Sequence, residues 1–352
     1  RVGQTVHGTD GDTPMFLDYL KSLNPALPVF NGEWHLIATA ASGNDPAYLG
    51  RLMFEGAAHG IGAGYIWQWS RFDWNSPIHG AEGAITRYPL GLDAMGRTSV
   101  KLRRLMPVIA RFANQDGGRI RLLYSKASHL HQPAAEERVL PGVRLLVKVP
   151  AYLKDLEKTY GTLAGNAAGV RFVIPETLTA RSLAGVTLLT AGSAGFIQTP
   201  ALQALEAWTA QGGTLWLTAP GLQADPWGQP HQDIAPTFLA LLSRPGEHAY
   251  HNGRVVVDGN WTGFHAHLDG PQVTTPDGRA VSQVECRAAP SPDGKTRYLY
   301  LCNAGDQDQT VKVTPAPKGM GHDLWNGGTA NLAQPVRLPA NGVLLLEYPW
   351  EP

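Results

Sequence analysis

Apolar and polar positions change rhythm twice along this chain, and each change predicts a different kind of architecture. In the first stretch, Pro28–Leu36 and Gly62–Arg71 read as strands. Between them, Asp45–Ala57 opens on Asp before Pro and continues with apolar residues three and four apart, which predicts a capped amphipathic helix. Thr13–Lys21 repeats the cap-then-Pro start and predicts a helix just ahead of the first strand, and Ser99–Phe112 predicts a basic amphipathic helix that ends at Asn114 and the Asp116-Gly117-Gly118 turn. Strand, helix, strand at roughly 30 residues per unit is the spacing of a (β/α)8 barrel. Glu33 and Trp69 stand 36 residues apart, one such unit. Roughly 115 residues hold only the last quarter to third of a barrel, so the chain is expected to be a truncated or processed piece.

From Gly118 strands and helices alternate. Strands are expected over Arg119–Ser125, Val143–Val149, Val170–Ile174, Thr187–Thr190 and Thr214–Thr218, and helices over Tyr152–Leu163 and Pro200–Gln211, the second capped by Thr199 and stopped by Gly212-Gly213. That order predicts an open parallel sheet with helices on both faces, flavodoxin-like or amidotransferase-like. From about Gly246 helices give way to short alternating runs, plainest at Arg254–Val257, Arg297–Cys302 and Val343–Tyr348, with turns at Pro292-Asp293-Gly294 and Asn326-Gly327-Gly328. These predict a small antiparallel β-sandwich. Tyr298 and Tyr300 would share one face of their strand and Leu299 and Leu301 the other, so that strand would be covered on both sides. The expected fold class is therefore α/β plus all-β, divided as 1–115, 116–246 and 247–352.

Composition narrows the function. Of 352 residues, 43% are hydrophobic and 16% charged with zero formal net charge, which disfavours disorder and points away from nucleic acid or an anionic membrane as partner. No apolar run of about 18 residues is present and the first residues lack a signal-peptide shape; a cut N-terminus would have lost such a signal, so the compartment stays open, with a soluble, cytoplasmic protein favoured. Cys286 and Cys302 are the only cysteines, too few for a four-cysteine metal site or a disulfide framework, and they read as two free buried thiols. No cofactor or metal is expected.

The chemistry concentrates at the two early strands. Alternation puts Glu33 and His35 on one side and Gly32, Trp34 and Leu36 on the other. A carboxylate facing a barrel interior is paired, solvated or working, and a retaining glycosidase needs a carboxylate nucleophile about 5 Å from a second carboxyl. Glu33 suits the nucleophile; a capping or salt-bridged glutamate is the competing reading. Tyr65, Trp67 and Trp69 share a face, and Trp69, nearest the strand end, suits a platform on which the C–H face of a sugar stacks, while Tyr65 and Trp67 also suit the barrel core. Arg71, Asp73 and Glu82 follow in the next loop, where they suit sugar hydroxyls or simply solvent. His7 would stand at the top of a preceding strand, as a ligand contact or a solvated turn histidine. Asp10, Asp12, Asp45, Glu55, Asp73 and Glu82 offer no evident second carboxyl, so the general acid is expected upstream. In the middle region, Thr190-Ala191-Gly192-Ser193-Ala194-Gly195 lacks the spacing of a phosphate loop, and Ser193 lacks the G-x-S-x-G context of a nucleophile.

Taken in order, these segments resemble the C-terminal portion of retaining glycoside hydrolases of clan A, especially the family 42 type of β-galactosidase. Asn31-Gly32-Glu33-Trp34-His35 is similar to the strand 7 nucleophile motif, and Gly64-Tyr65-Ile66-Trp67-Gln68-Trp69-Ser70-Arg71 is similar to strand 8. The resemblance implies a barrel end, an amidotransferase-like trimerisation domain without its ancestral activity, and a β domain running through Asp323–Gly328 and Leu344–Tyr348. It implies Glu33 as nucleophile and Trp69, with Trp67, His35, His7 and Arg71 around it, as the sugar subsite. It also implies a β-linked galactoside as substrate, a homotrimer, and an acid/base on a fourth strand that no residue here can supply. The cysteine-bound zinc of some members has no counterpart here. The chain alone is then expected to be inactive. Two other readings stand beside it: a non-catalytic carbohydrate-binding or assembly protein derived from a glycosidase, and an amidotransferase-like enzyme centred on the middle region, against which the missing nucleophile counts.

Overall fold

The computed structural model describes residues 12–25, 27, 29–34, 36–37, 40–66, 85–114, 119–140, 145–165, 169–264, 271–279, 281, 283–317 and 319–349. It is a mixed α/β structure with several separate sheets. The first region runs α1 (Asp12–Leu23), β1 (Val29–Trp34), the short α2 (Ala40–Gly43), α3 (Pro46–Ala58), β2 (Ile61–Ile66) and α4 (Pro89–Asn114). Asp45 starts α3 as expected: its carboxylate accepts from the N–H groups of Ala47 and Tyr48, both at 3.0 Å, ahead of Pro46 at the first helical position. β1 and β2 pair in parallel across α3, the strand–helix–strand unit read from the pattern. The helix expected over Ser99–Phe112 begins ten residues earlier, at Pro89. Gly91 and Gly96 argue locally against a helix there, but Gly91 lets two segments meet, since a Cβ on it would stand 2.3 Å from the Gly43 carbonyl oxygen.

The middle region continues through β3 (Ile120–Leu123), α5 (Lys126–His131), β4 (Ala134–Leu140), β5 (Leu145–Pro150), α6 (Ala151–Ala164), β6 (Arg171–Val173), β7 (Leu188–Gly192), α7 (Thr199–Ala210), β8 (Thr214–Leu217), α8 (Pro236–Leu241), β9 (Gly246–Tyr250) and β10 (Gly253–Val257). Its six-stranded sheet has the order β6-β3-β7-β8-β10-β9. Two strand assignments are corrected. The described part of the Val143–Val149 run, within β5, does not join this sheet but forms an antiparallel ribbon with β4, because a connection of so few residues permits only a hairpin. Arg254–Val257, expected among the closing β-strands, pairs in parallel with β8 and takes β9 as its antiparallel edge. Thr199 is the first residue of α7 rather than its cap, and its hydroxyl meets His231 Nδ1 at 3.0 Å.

The last region adds β11 (Gln272–Thr274), β12 (Val284–Pro290), β13 (Thr296–Asn303), β14 (Gln309–Thr314), β15 (Gly321–Asp323), β16 (Thr329–Ala330), β17 (Val336–Leu338) and β18 (Val343–Pro349). They form a five-stranded sheet, β12-β13-β18-β15-β16, and a three-stranded sheet, β11-β14-β17. Leu299, Leu301, Leu344 and Leu346 pack toward Val273, Val311 and Val313 of the smaller sheet, while Tyr298, Tyr300 and Cys302 pack with Phe54 of α3 and Phe112 of α4. β13 is thus covered on both faces, as its alternation requires. Cys286 and Cys302 are free and buried, and they belong to opposite faces. Among the described residues no helix is long and apolar enough to cross a membrane.

Candidate functional site

The C-terminal ends of β1 and β2 lie side by side. Asn31 pairs with Gly64 and Trp34 with Ile66, so three steps along β1 match two along β2 and a bulge falls at Gly32-Glu33. A bulge bends its strand and re-aims side chains, and such irregularities gather next to active sites. It also resolves a parity problem, because Val29 and Trp34, an odd number of residues apart, both pack in the cluster of Leu17 and Ile61. The Trp34 ring lies against the backbones of two glycines: a Cβ on Gly56 of α3 or on Gly64 of β2 would each come within 2.7 Å of it. Trp34 and Leu36 therefore face the helices, as read from the sequence. The backbone of Glu33 lies one residue from the end of β1, and the register places that end beside Ile66, the residue before Trp67. The Glu33 side chain and residues His7, His35, Trp67, Trp69, Arg71, Asp73 and Glu82 lie outside the described residues.

Two carboxylates weighed as a second acid are in structural use. Asp45 caps α3, and Glu55 is buried in α3, paired with Arg51 and accepting from Cys302 Sγ at 3.4 Å. Burial raises the Glu55 carboxyl, with the Arg51 charge opposing it.

A buried charge cluster that the sequence reading missed joins the three regions. His59, at the end of α3, meets Asp18 of α1 through Nδ1 and Glu285 of β12 through Nε2, each at 2.9 Å. Arg287 Nη2 donates to Asp18, Arg287 Nε donates to Glu285 at 2.7 Å, and the Tyr160 hydroxyl of α6 donates to Asp18 at 2.8 Å. With a carboxylate on each ring nitrogen, His59 is a double donor, an imidazolium. Burial and Arg287 pull its pKa down, but Glu285 and Asp18 outweigh them and raise it to about 9. Burial opposes ionisation of Asp18 and Glu285, yet Arg287 and His59 hold both below the usual carboxylate range. The only sequence signal was Glu285 and Arg287 two apart on an otherwise apolar strand. Two acids matched by two bases, with Tyr160 beside them, all buried and drawn from α1, α3, α6 and β12, tie the three regions together.

At the ends of the middle sheet, Asp155 of α6 accepts from the Ser193 N–H and the Thr218 hydroxyl, both at 2.7 Å. Gly192 there has φ +56°, and a Cβ on it would stand 2.8 Å from that carboxylate. The carboxylate ties two strand ends together and engages the amide of Ser193.

No family profile matches this chain, and no curated protein sequence matches it. Solved structures do. The chain is similar to an apo exo-carrageenase GH42 from Bacteroides ovatus (18% identity, TM-score 0.70, 97% of this chain and 44% of that one). It is likewise similar to a β-galactosidase from Bacillus circulans sp. alkalophilus (14%, 0.67, 98% and 59%) and to a cold-adapted β-galactosidase from Rahnella sp. R3 (17%, 0.65, 97% and 57%). The fold is shared with these glycoside hydrolases. The chain spans about half their length, between 44% and 59%.

Proposed function

We propose that this chain is the C-terminal portion of a retaining β-glycosidase, with a β-linked galactoside as substrate and Glu33 as nucleophile. The observation that carries the reading is the parallel pairing of β1 with β2, in a register that sets the Glu33 end of one strand beside the approach to Trp67 and Trp69 on the other. Chemistry at adjacent strand ends is what a (β/α)8 barrel provides, and the likeness to glycoside hydrolases of known structure agrees with it. In this reading β1 and β2 are the last two strands of the barrel, Trp69 and Trp67 wall the sugar subsite, and His35, His7 and Arg71 contact its hydroxyls. The bulge at Gly32-Glu33 sets the angle at which the carboxylate meets the anomeric carbon. A barrel strand outside these residues supplies the general acid/base, so double displacement needs both parts. The middle sheet, amidotransferase-like, acts in assembly, as a trimer, and a β-sandwich follows it.

The test is kinetic. The 352-residue chain alone should not hydrolyse a nitrophenyl β-galactoside. Joined to a complete barrel it should, and Glu33→Gln should then lower kcat by about four orders of magnitude or more, as loss of a covalent nucleophile does. Hydrolysis by the chain alone, lost on Glu33→Gln, would overturn the two-part assignment.

A further inference from the structure

We propose that the outer face of α4 binds an acidic polysaccharide. From Arg97 to Asn114 this helix carries Arg97, Lys101, Arg103, Arg104 and Arg111 and no acid; Asp93, one turn earlier, is its single carboxylate and pairs with Arg97. The whole chain balances 29 basic residues against 29 acidic ones, so the segment holds a local positive excess. Arg97, Lys101, Arg104 and Arg111 stand at i, i+4, i+7 and i+14 on one side of the helix, and at 1.5 Å per residue they span about 21 Å. The opposite side, with Leu102, Leu105, Ile109 and Phe112, is buried in the core.

Folding alone does not call for this stripe. Arg103 and Arg104 are exposed and meet no acid among the described residues. Like charges three and four residues apart oppose helix formation, and the helix dipole favours cations only in the last turn, where Arg111 lies. Lys101 stands 4.5 Å from the centre of the Trp325 ring. Burial lowers its ammonium below the ordinary value, Asp323 opposes that, and the neighbouring Arg104 charge adds to it. Guanidinium groups match sulfate and carboxylate oxygens bidentately, and a row of charges this long suits an extended polyanion rather than one small ion. Val100, 72% exposed and three or four residues from Arg97, Arg103 and Arg104, adds an apolar contact for the C–H face of a sugar ring. The helix has one aromatic residue, Phe112, which is buried, and the chain as a whole is not basic; both favour a polysaccharide over a nucleic acid.

The choice of a sugar polymer rests on the glycosidase reading, whereas the place of the site does not, and its test needs no catalysis. The 352-residue chain would be titrated with fluorescently labelled dextran sulfate, carboxymethyl dextran, uncharged dextran and duplex DNA at matched ionic strength. At least one acidic dextran should bind saturably and uncharged dextran should not, with affinity falling as salt rises. Replacing both exposed arginines, Arg103→Gln with Arg104→Gln, should weaken binding by about tenfold or more and make its salt dependence shallower. Arg254→Gln, on the exposed edge of β10, should leave it unchanged. Preference for dextran sulfate identifies a sulfated polymer and preference for carboxymethyl dextran a carboxylated one, and either supports the assignment. Equal binding of uncharged dextran, affinity untouched by the double variant, or DNA bound more tightly than both acidic dextrans would overturn it. Saturable binding would stand even if Glu33 proved not to be the nucleophile, so the two readings fail separately.

Discussion

Raising the pH from 6.5 to 9.5 should cost this fold about 3 kcal/mol through His59 alone. The unfolded histidine has the ordinary value of 6.5, and the folded one, held between Asp18 and Glu285, has about 9. Its stabilisation is therefore complete below pH 6.5, declines by about 1.4 kcal/mol per pH unit while the folded chain keeps a proton that the unfolded chain has lost, and is gone once the pH passes 9. Asp18 and Glu285 act in the opposite direction: their folded values are lowered, so their contribution is present above the ordinary carboxylate range and is lost as the medium acidifies through it. Stability should peak between about pH 5 and 6.5. The assay is urea unfolding at fixed ionic strength across pH 4–9.5. His59→Gln should lower stability at pH 6 by about 3 kcal/mol, because two buried carboxylates then share one guanidinium. It should also flatten the decline between pH 6.5 and 9. Parallel pH profiles for the wild type and His59→Gln would refute the reasoning, because the alkaline slope would then belong to other groups.

Two further expectations follow from the first region. Asp45→Ala removes the carboxylate that caps α3 and should lower stability by about 1 kcal/mol in urea unfolding, while Asp45→Asn should recover most of it. Gly56→Ala drives a methyl to 2.7 Å from the Trp34 ring and should cost about 1–3 kcal/mol. Gly50→Ala, on the same helix with its nearest neighbour at 3.5 Å, should be neutral or slightly stabilising.

Legibility in the sequence followed the range of the interaction. Asp45-Pro46, the apolar spacing of α3 and the alternation of β13 are local signals, and each element stands where it was read. β10 was misplaced because a run such as Val255-Val256-Val257 reads the same in a parallel sheet as in a sandwich, and only its pairing with β8, forty residues away, distinguishes them. The start of α4 was hidden because glycine lowers helix propensity, whereas the close approach of Gly91 to Gly43 that calls for glycine is a tertiary fact. The charge cluster was least legible of all: Asp18 lies 142 residues from Tyr160 and 269 from Arg287, and no window along the chain contains the set. For the candidate site, adjacency of the two strand ends was readable from unit spacing, but the bulge at Gly32-Glu33 was not, since an extra residue in a strand is visible only against its partner.

The central claim is that the Glu33 carboxylate attacks an anomeric carbon. It is tested most directly by trapping the protein, with its barrel complete, using a 2-deoxy-2-fluoro β-galactoside and mapping the adduct by peptide mass spectrometry. The account predicts one added fluorogalactosyl group on the peptide that spans Val29–Trp34, at Glu33, and none in Glu33→Gln. A stable adduct on any other carboxylate would contradict it.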